Sequence, residues 1–265
     1  MIITIDIGNT TTGFGIFEGG KLKAQFAIAT QPSRTPDEVT LQLKALAKTR
    51  RLHLKRAKQI ILCSVVPRMT AVLLESLRSL DAVPVRVIGQ DIEVPLINKY
   101  LYPEQVGQDR LVAAYAAHSS YKKDCIVADF GTAITIDVVT KRGEYLGGVI
   151  APGMEISLEA LATRTALLPK VELREPPELL GRQTADSIRS GILYGCARLC
   201  DGLVTDLKRQ YVPKAVVVAT GGGSKAIRPH VEAIDHFRPD LVLEGLRALS
   251  ESSQENSKKG KKSKN

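Results

Sequence analysis

Asp6-Ile7-Gly8-Asn9-Thr10-Thr11-Thr12-Gly13 follows an apolar run, Met1-Ile2-Ile3-Thr4-Ile5, and Asp129-Phe130-Gly131-Thr132-Ala133 follows another, Cys125-Ile126-Val127-Ala128. A carboxylate at a strand end, followed by Gly and hydroxyl side chains, suits a metal-nucleotide phosphate. Gly permits a tight turn and lets phosphate approach backbone N–H groups. Thr and Asn add neutral donors, and Asp can hold a cation or its water. A single copy would read as a hairpin turn, because Asp-x-Gly is common there. The repeat moves the reading to phosphate binding and predicts two related halves that close on one nucleotide. No Gly-Lys-Ser/Thr follows either copy, so neither is a Walker loop.

Around these loops the chain alternates strands and helices. Residues 2–7, 14–17 and 22–29 read as a small antiparallel meander turning at Glu18-Gly19-Gly20. Thr35-Pro36-Asp37-Glu38 is a capping box with Pro at the first helical position, starting a helix to about Arg50. Ile60 to Val66 is a continuous apolar strand, Pro67 opens the next helix, and Val85 to Ile88 is another strand. The second half repeats the scheme. A helix is expected from Gln108 to Tyr121, then strands at 125–129, 133–139 and 145–151. Helices follow at 154–165 and 185–210, a strand from Lys214 to Ala219, and a last helix at about 240–250. The fold class is α/β, with a first domain at 1–115, a second at 116–250, and a disordered tail at 251–265.

Composition narrows the function. At 265 residues the chain holds one large domain or two modest ones, and the repeat favours two. Aromatic residues are 5% with no Trp, which argues against stacking platforms for single-stranded nucleic acid. Net charge is +9, of which the tail, with five Lys and two Glu, supplies +3. The tail lacks apolar residues and reads as a solubilising extension. The remaining basic excess fits anionic small substrates. No stretch is long and apolar enough for a membrane span, and no leader pattern opens the chain. Cys63, Cys125, Cys196 and Cys200 include no Cys-x-x-Cys and read as reduced packing residues. The expectation is a cytoplasmic protein with no nucleic-acid or membrane partner. His53, His118, His230 and His236 form no ligand spacing, and no Ser-His-Asp or metalloprotease pattern occurs.

Three further segments carry polar groups at helix starts. Gly107-Gln108-Asp109-Arg110 opens a helix whose dipole stabilises a carboxylate in its first turn. From spacing alone this is a helix-terminal charge; Asp109 could instead accept a substrate hydroxyl proton, with Arg110 holding an anion. Tyr100 and Tyr102 lie just upstream, either lining a pocket or anchoring a loop. Thr184, in Gly181-Arg182-Gln183-Thr184-Ala185-Asp186, looks like an N-cap, and an N-cap hydroxyl can also meet a polar ligand. Thr220-Gly221-Gly222-Gly223-Ser224 follows a buried-looking strand and suits either a strand-to-helix connection or contact with adenosine.

In order, these motifs resemble type III pantothenate kinase, of the superfamily of acetate and sugar kinases, heat-shock ATPases and actin. The resemblance runs from about residue 1 to 248. It is carried by Asp6 to Thr10, Tyr100 through Pro103 to Arg110, Asp129 to Ala133, Gly147-Gly148-Val149-Ile150-Ala151-Pro152-Gly153, and Ser157 to Pro169. Position 108 is Gln where that family more often has Ala, and 221–224 departs after its second Gly. The resemblance implies two ribonuclease-H-like (actin-like ATPase) domains, each with a mixed five-stranded sheet flanked by helices, and a homodimer. It implies phosphorylation of pantothenate by ATP with magnesium, the first step toward coenzyme A, and dependence on a monovalent cation, potassium or ammonium. By the same resemblance Asp6, Ile7, Gly8, Asn9, Thr10, Thr11, Thr12 and Gly13 hold the ATP phosphates, with Asp6 at the magnesium. Thr132 contacts ATP and Asp129 the monovalent cation. Tyr100, Gly107, Gln108, Asp109 and Arg110 contact pantothenate, with Asp109 as proton acceptor, and Thr184 reaches the neighbouring subunit's substrate. The competing expectations are a non-catalytic transcriptional accessory factor of the same fold, and a kinase for another small hydroxyl substrate. A regulator could lose Asp109 or a phosphate Asp; this chain keeps Asp6, Asp109 and Asp129.

Overall fold

The computed structural model describes residues 1–50, 56–80 and 83–262, with side chains described as far as Ser252; His53 and residues 263–265 lie outside the described residues. The chain divides into two compact units. Unit 1 comprises Met1–Pro95, Glu104–Ala116 and Val242–Asn265, and unit 2 comprises Leu96–Pro103 and Ala117–Leu241.

Unit 1 opens with strands β1 (Ile2–Ile7), β2 (Thr11–Glu18) and β3 (Lys21–Ala29), paired antiparallel in sequence. Helix α1 (Pro36–Thr49) follows, and its start is closed by the expected capping box. The Thr35 hydroxyl accepts from Glu38 N–H, while a Glu38 carboxylate oxygen accepts from Thr35 N–H at 2.8 Å. The N–H bond and a second bond from the Thr35 hydroxyl to the same carboxylate oxygen, at 3.2 Å, hold the Glu38 carboxyl below its ordinary range. Strand β4 (Gln59–Ser64), helix α2 (Pro67–Ser79) and strand β5 (Val85–Val87) complete the sheet in the order β3-β2-β1-β4-β5, with β1, β4 and β5 parallel. Because side chains alternate along a strand, Ile3, Ile5 and Ile7 enter the core under α1 and α2, with Val39, Leu43, Met69 and Leu73. Thr4 and Asp6 take the opposite face.

Unit 2 begins with strand β6 (Ile97–Asn98), before the chain crosses into unit 1 and returns along helix α3 (Gln108–Tyr121). Strands β7 (Cys125–Phe130), β8 (Ala133–Val139) and β9 (Glu144–Pro152) repeat the antiparallel meander. Helices α4 (Met154–Arg164) and α5 (Thr184–Gln210) cover the face carrying Ile126, Ala128 and Phe130. Strand β10 (Val216–Thr220) pairs parallel with β7, and after the short helix α6 (Ser224–Ile227) strand β11 (His236–Phe237) pairs parallel with β10. The order β9-β8-β7-β10-β11 restates that of unit 1. Both Asp-Gly-Thr/Asn motifs occupy the same place, since Asp6 and Asp129 are each the fifth residue of a six-residue first strand.

Three expectations are corrected. The second sheet has six strands, because β6 pairs parallel with β9; a two-residue strand carries no periodicity to read. This also moves Leu96–Pro103 out of the expected first domain and into unit 2. The last helix, α7 (Leu241–Lys262), belongs from Val242 with unit 1, not with the expected second domain of 116–250. There Leu243 lies beside Gly15, Gly245 lies against Val112 and Ala116, and the Ser250 hydroxyl donates to Gln59 Oε1 at 2.8 Å. Helix α7 runs on to Lys262, into the segment 251–265 read from its composition as a tail. Lys, Glu and Gln are good helix formers and little is lost in extending a helix already anchored on one face.

Candidate active site

In unit 1 the site is built at the carboxyl end of β1. Ile7 is in the core, and Gly8 begins a tight turn in which Gly8 N–H donates to Thr11 O at 3.0 Å. Asn9, Thr10 and Thr11 are exposed at its tip. Thr12 is buried and its hydroxyl pairs with that of Thr30 at 2.9 Å. The side chains of Ile7 and Thr12 are therefore committed to packing, and any contribution they make to a ligand is through backbone groups. Gly13 faces Asp6 across the β1–β2 pair.

Asp109 comes to the same corner from a distant stretch of sequence. Gly107 places the start of α3 beside Val65, just past the end of β4, and a Cβ on Gly107 would collide with the Asp109 carboxylate. The Asp109 Oδ1 accepts the N–H of Arg110 at 2.8 Å, so the carboxylate is folded back over the helix N-terminus. Cys63 reports the convergence. Burial pushes its thiol well above the ordinary range, and the charges of Asp6 and Asp109 push it further. Asp6, Asp109 and Cys63 thus share one neighbourhood within unit 1. Gln108 does not join them through its carboxamide, which lies over Gly89, a residue at φ +80° where only Gly is unstrained.

In unit 2 the matching corner is the Asp129–Thr132 loop, pressed from two sides by glycines. Gly221, at φ +85°, passes so close to Asp129 that a Cβ would collide with its carboxylate and with the Phe130 backbone. Gly223 N–H donates to Phe130 O at 2.9 Å, and Gly153 N–H donates to Thr132 O at 3.1 Å. Neither Gly153 nor Gly223 could carry a side chain without displacing this loop. The Gly-rich segment after β10 and the Gly at the end of β9 are therefore both explained as walls of the second Asp-Gly-Thr loop.

Thr184 is an exposed residue and the first residue of α5, rather than its N-cap. The N-cap is Gln183, whose Nε2 donates to Asp186 Oδ2 at 2.6 Å. That bond, with help from Arg189, holds the Asp186 carboxyl below its ordinary range. Asp186 takes up the charge at the helix start, which leaves the Thr184 hydroxyl without a capping duty. Tyr100 is half-buried on the loop after β6, while Leu101 and Tyr102 are exposed.

Comparison with known proteins gives this arrangement a family. A profile of type III pantothenate kinase matches residues 2–206. The type III pantothenate kinase of Moorella thermoacetica is 42% identical over 252 residues, covering 95% of this chain and 99% of the relative. The chain belongs to the type III pantothenate kinase family. Among solved structures, it is similar to a conserved Campylobacter jejuni protein assigned to the Baf family of transcriptional activators. That match has a TM-score of 0.61 and 18% identity, over 96% of this chain and 99% of the other. A Porphyromonas gingivalis protein assigned as an N-acetylglucosamine kinase aligns with a TM-score of 0.52 and 14% identity, over 94% and 98% of the two chains. At these identities the likeness concerns the fold, the two-unit ribonuclease-H-like architecture.

Membership of a type III pantothenate kinase family makes the chain a kinase, and a kinase uses ATP with a divalent metal. The residues present fit that metal. Among the described residues no three His, Cys, Asp or Glu side chains form a metal cage. Magnesium arriving with a triphosphate needs only one or two carboxylates, since phosphate and water fill its other positions. The four cysteines are free, and burial raises the thiol of each, Cys125 and Cys200 to about 12, which suits packing rather than ligation. Among the described residues, no helix is long and apolar enough to cross a membrane.

Proposed function

We propose that the chain transfers the terminal phosphoryl group of ATP to the primary hydroxyl of pantothenate, the first step toward coenzyme A. The observation that carries this reading is the convergence of Asp6 and Asp109 around Cys63 in a chain of this family. Phosphoryl transfer passes through a loose transition state, so positioning and charge neutralisation do most of the work. Magnesium bound with ATP supplies charge neutralisation at the phosphates, and Asp6 is the carboxylate that would hold it. The backbone N–H groups at the tip of the turn, at Asn9 and Thr10, and the hydroxyls of Thr10 and Thr11 receive phosphate oxygens, while Gly8 N–H holds the turn closed on Thr11 O. Thr132 is the corresponding contact from the second loop.

Asp109 orients the acceptor hydroxyl and takes its proton as the bond to phosphorus forms. It stands in the first turn of α3, where the helix dipole favours a negative charge, and this suits a carboxylate that accepts a proton. Arg110 and Gly107 hold the substrate, together with Tyr100. Asp129 holds a monovalent cation, potassium or ammonium. The active species is a homodimer in which Thr184 serves the substrate of the neighbouring subunit, and the protein works in the cytoplasm.

The experiment is a coupled assay of ADP release with pantothenate, in potassium and in sodium. Release that requires pantothenate supports the reading. Release with another small alcohol but not pantothenate would reassign the acceptor. No release with any acceptor would favour a non-catalytic factor of the same fold.

A further inference from the structure

A bulge in β9 forms a seat for one aromatic ring. Along the β8–β9 pair, Val138 faces Gly147 while the next residue, Val139, faces Tyr145, so Leu146 is the extra residue. Gly147 takes up the distortion at φ +118°, a conformation that strains any residue with a Cβ. The ring of Tyr100 lies directly on this bare Cα. A Cβ built on Gly147 would stand 3.2 Å from Tyr100 Cδ2 and 3.3 Å from Cε2. The bulge is held from behind by Tyr145, fully buried, whose hydroxyl donates to the buried Asp137 carboxylate at 2.6 Å.

The loop that carries Tyr100 is clamped as well. Lys99 N–H donates to Tyr145 O at 2.9 Å, tying the segment to the bulged strand. Asn98 then bridges the loop with its side chain. Its Oδ1 accepts Tyr100 N–H at 3.0 Å, and its Nδ2 donates to Pro103 O at 3.3 Å. A short Asx-type bridge of this kind fixes a loop that has no strand partner of its own. Asn98 ends a two-residue strand, and a Gly inside a strand weakens it unless something must approach closely.

We infer that Gly147 and Asn98 are positioning residues for pantothenate, acting through Tyr100: one supplies the seat for its ring and the other locks its backbone. This rests on the proposed pantothenate reading, but the seat itself can be tested without it.

The test uses the full chain with Gly147→Ala, Asn98→Ala, Tyr100→Ala and the combination of Gly147→Ala with Tyr100→Ala. Gly147→Ala, whose Cβ would make the Tyr100 ring give by a few tenths of an ångström, and Asn98→Ala, which releases the Tyr100 backbone, are each expected to raise the pantothenate KM by roughly 3- to 10-fold, with the ATP KM unchanged. In the Tyr100→Ala background Gly147→Ala should add no further loss of pantothenate binding. A loss that persists there, or an equal effect on the ATP KM, means plain backbone damage and overturns the inference. A second readout is the fluorine NMR spectrum of protein labelled with 3-fluorotyrosine, in which the Tyr100 signal is identified by its disappearance in Tyr100→Phe. That signal should shift in both Gly147→Ala and Asn98→Ala. Its standing still would overturn the seat whatever the protein phosphorylates, whereas a wild-type chain inactive on pantothenate but with the shift present would sink only the functional reading.

Discussion

Asp6 stands opposite Cys63 in the parallel β1–β4 pair, and the charge of Asp109 reaches the same thiol. The two carboxylates are 103 positions apart in sequence, yet β1 and α3 bring them to one corner of unit 1. One of them ends a strand before a Gly-Asn-Thr turn and the other opens a helix; in the proposed reading they serve the nucleotide and the acceptor, the pairing a phosphotransferase needs.

Asp109→Asn keeps the size and the bond from Arg110 N–H but removes the proton acceptor. Turnover should fall by roughly 10²- to 10⁴-fold, the usual worth of a general base. The ATP KM should stay close to wild type, because the phosphate loop is untouched. Steady-state kinetics on the purified variant checks this, and near-normal turnover would remove Asp109 from the role.

Much of this was legible in the sequence because it rests on local chemistry. Thr35 and Glu38 announce their helix as a capping box, and Asp6 and Asp129 mark two strand ends by the glycines that follow. What was hidden depends on register and on which surface a helix covers. The amphipathic pattern of α7 shows that it has a buried face, but not that Val112, Ala116 and the β2 glycine Gly15 are what it covers. The nearness of Asp109 to Asp6 follows from the placement of α3 beside Val65, which no spacing rule encodes. Gly147 is visible as a glycine in a strand, a sign of a bulge or a close approach, but the ring that approaches comes from a strand too short to see.

Exchange of potassium for sodium should lower turnover, and Asp129→Asn should abolish the difference between the two ions. Gly221→Ala is expected to act in the same direction, because a Cβ there collides with the Asp129 carboxylate and φ +85° is strained for alanine. Its cost in stability should exceed about 1 kcal/mol, as for other alanines forced to positive φ. Turnover measured across a potassium titration for the three proteins is the check. Equal activity in both ions for the wild-type chain would contradict the role given to Asp129.

The place of α7 with unit 1 can be tested through Leu246, which is fully buried. Leu246→Ala should destabilise the protein by about 2–5 kcal/mol, the range for a core leucine replaced by alanine. Hydrogen exchange locates the damage: amides of β1, β2 and β4 should lose protection before those of β7 and β8. Loss confined to β7 and β8 would place the helix with the other unit.

The buried thiols set a limit at high pH. Burial, assisted by Asp124, pushes Cys125 up to about 12, and burial, assisted by Asp201 and Cys196, does the same for Cys200, against an ordinary value of 9.0. In the folded chain these groups keep their protons where the unfolded chain has lost them, so between about pH 9 and 12 the native state binds more protons. Stability from this source is fully present below pH 9 and declines as pH rises through that window. Urea unfolding at pH 8 and pH 10 should show the drop, and Cys125→Ala together with Cys200→Ala should flatten it while lowering stability at both pH values through the cavities left behind. A wild-type stability that does not change between the two pH values would mean that these thiols ionise as freely in the folded chain as in the unfolded one.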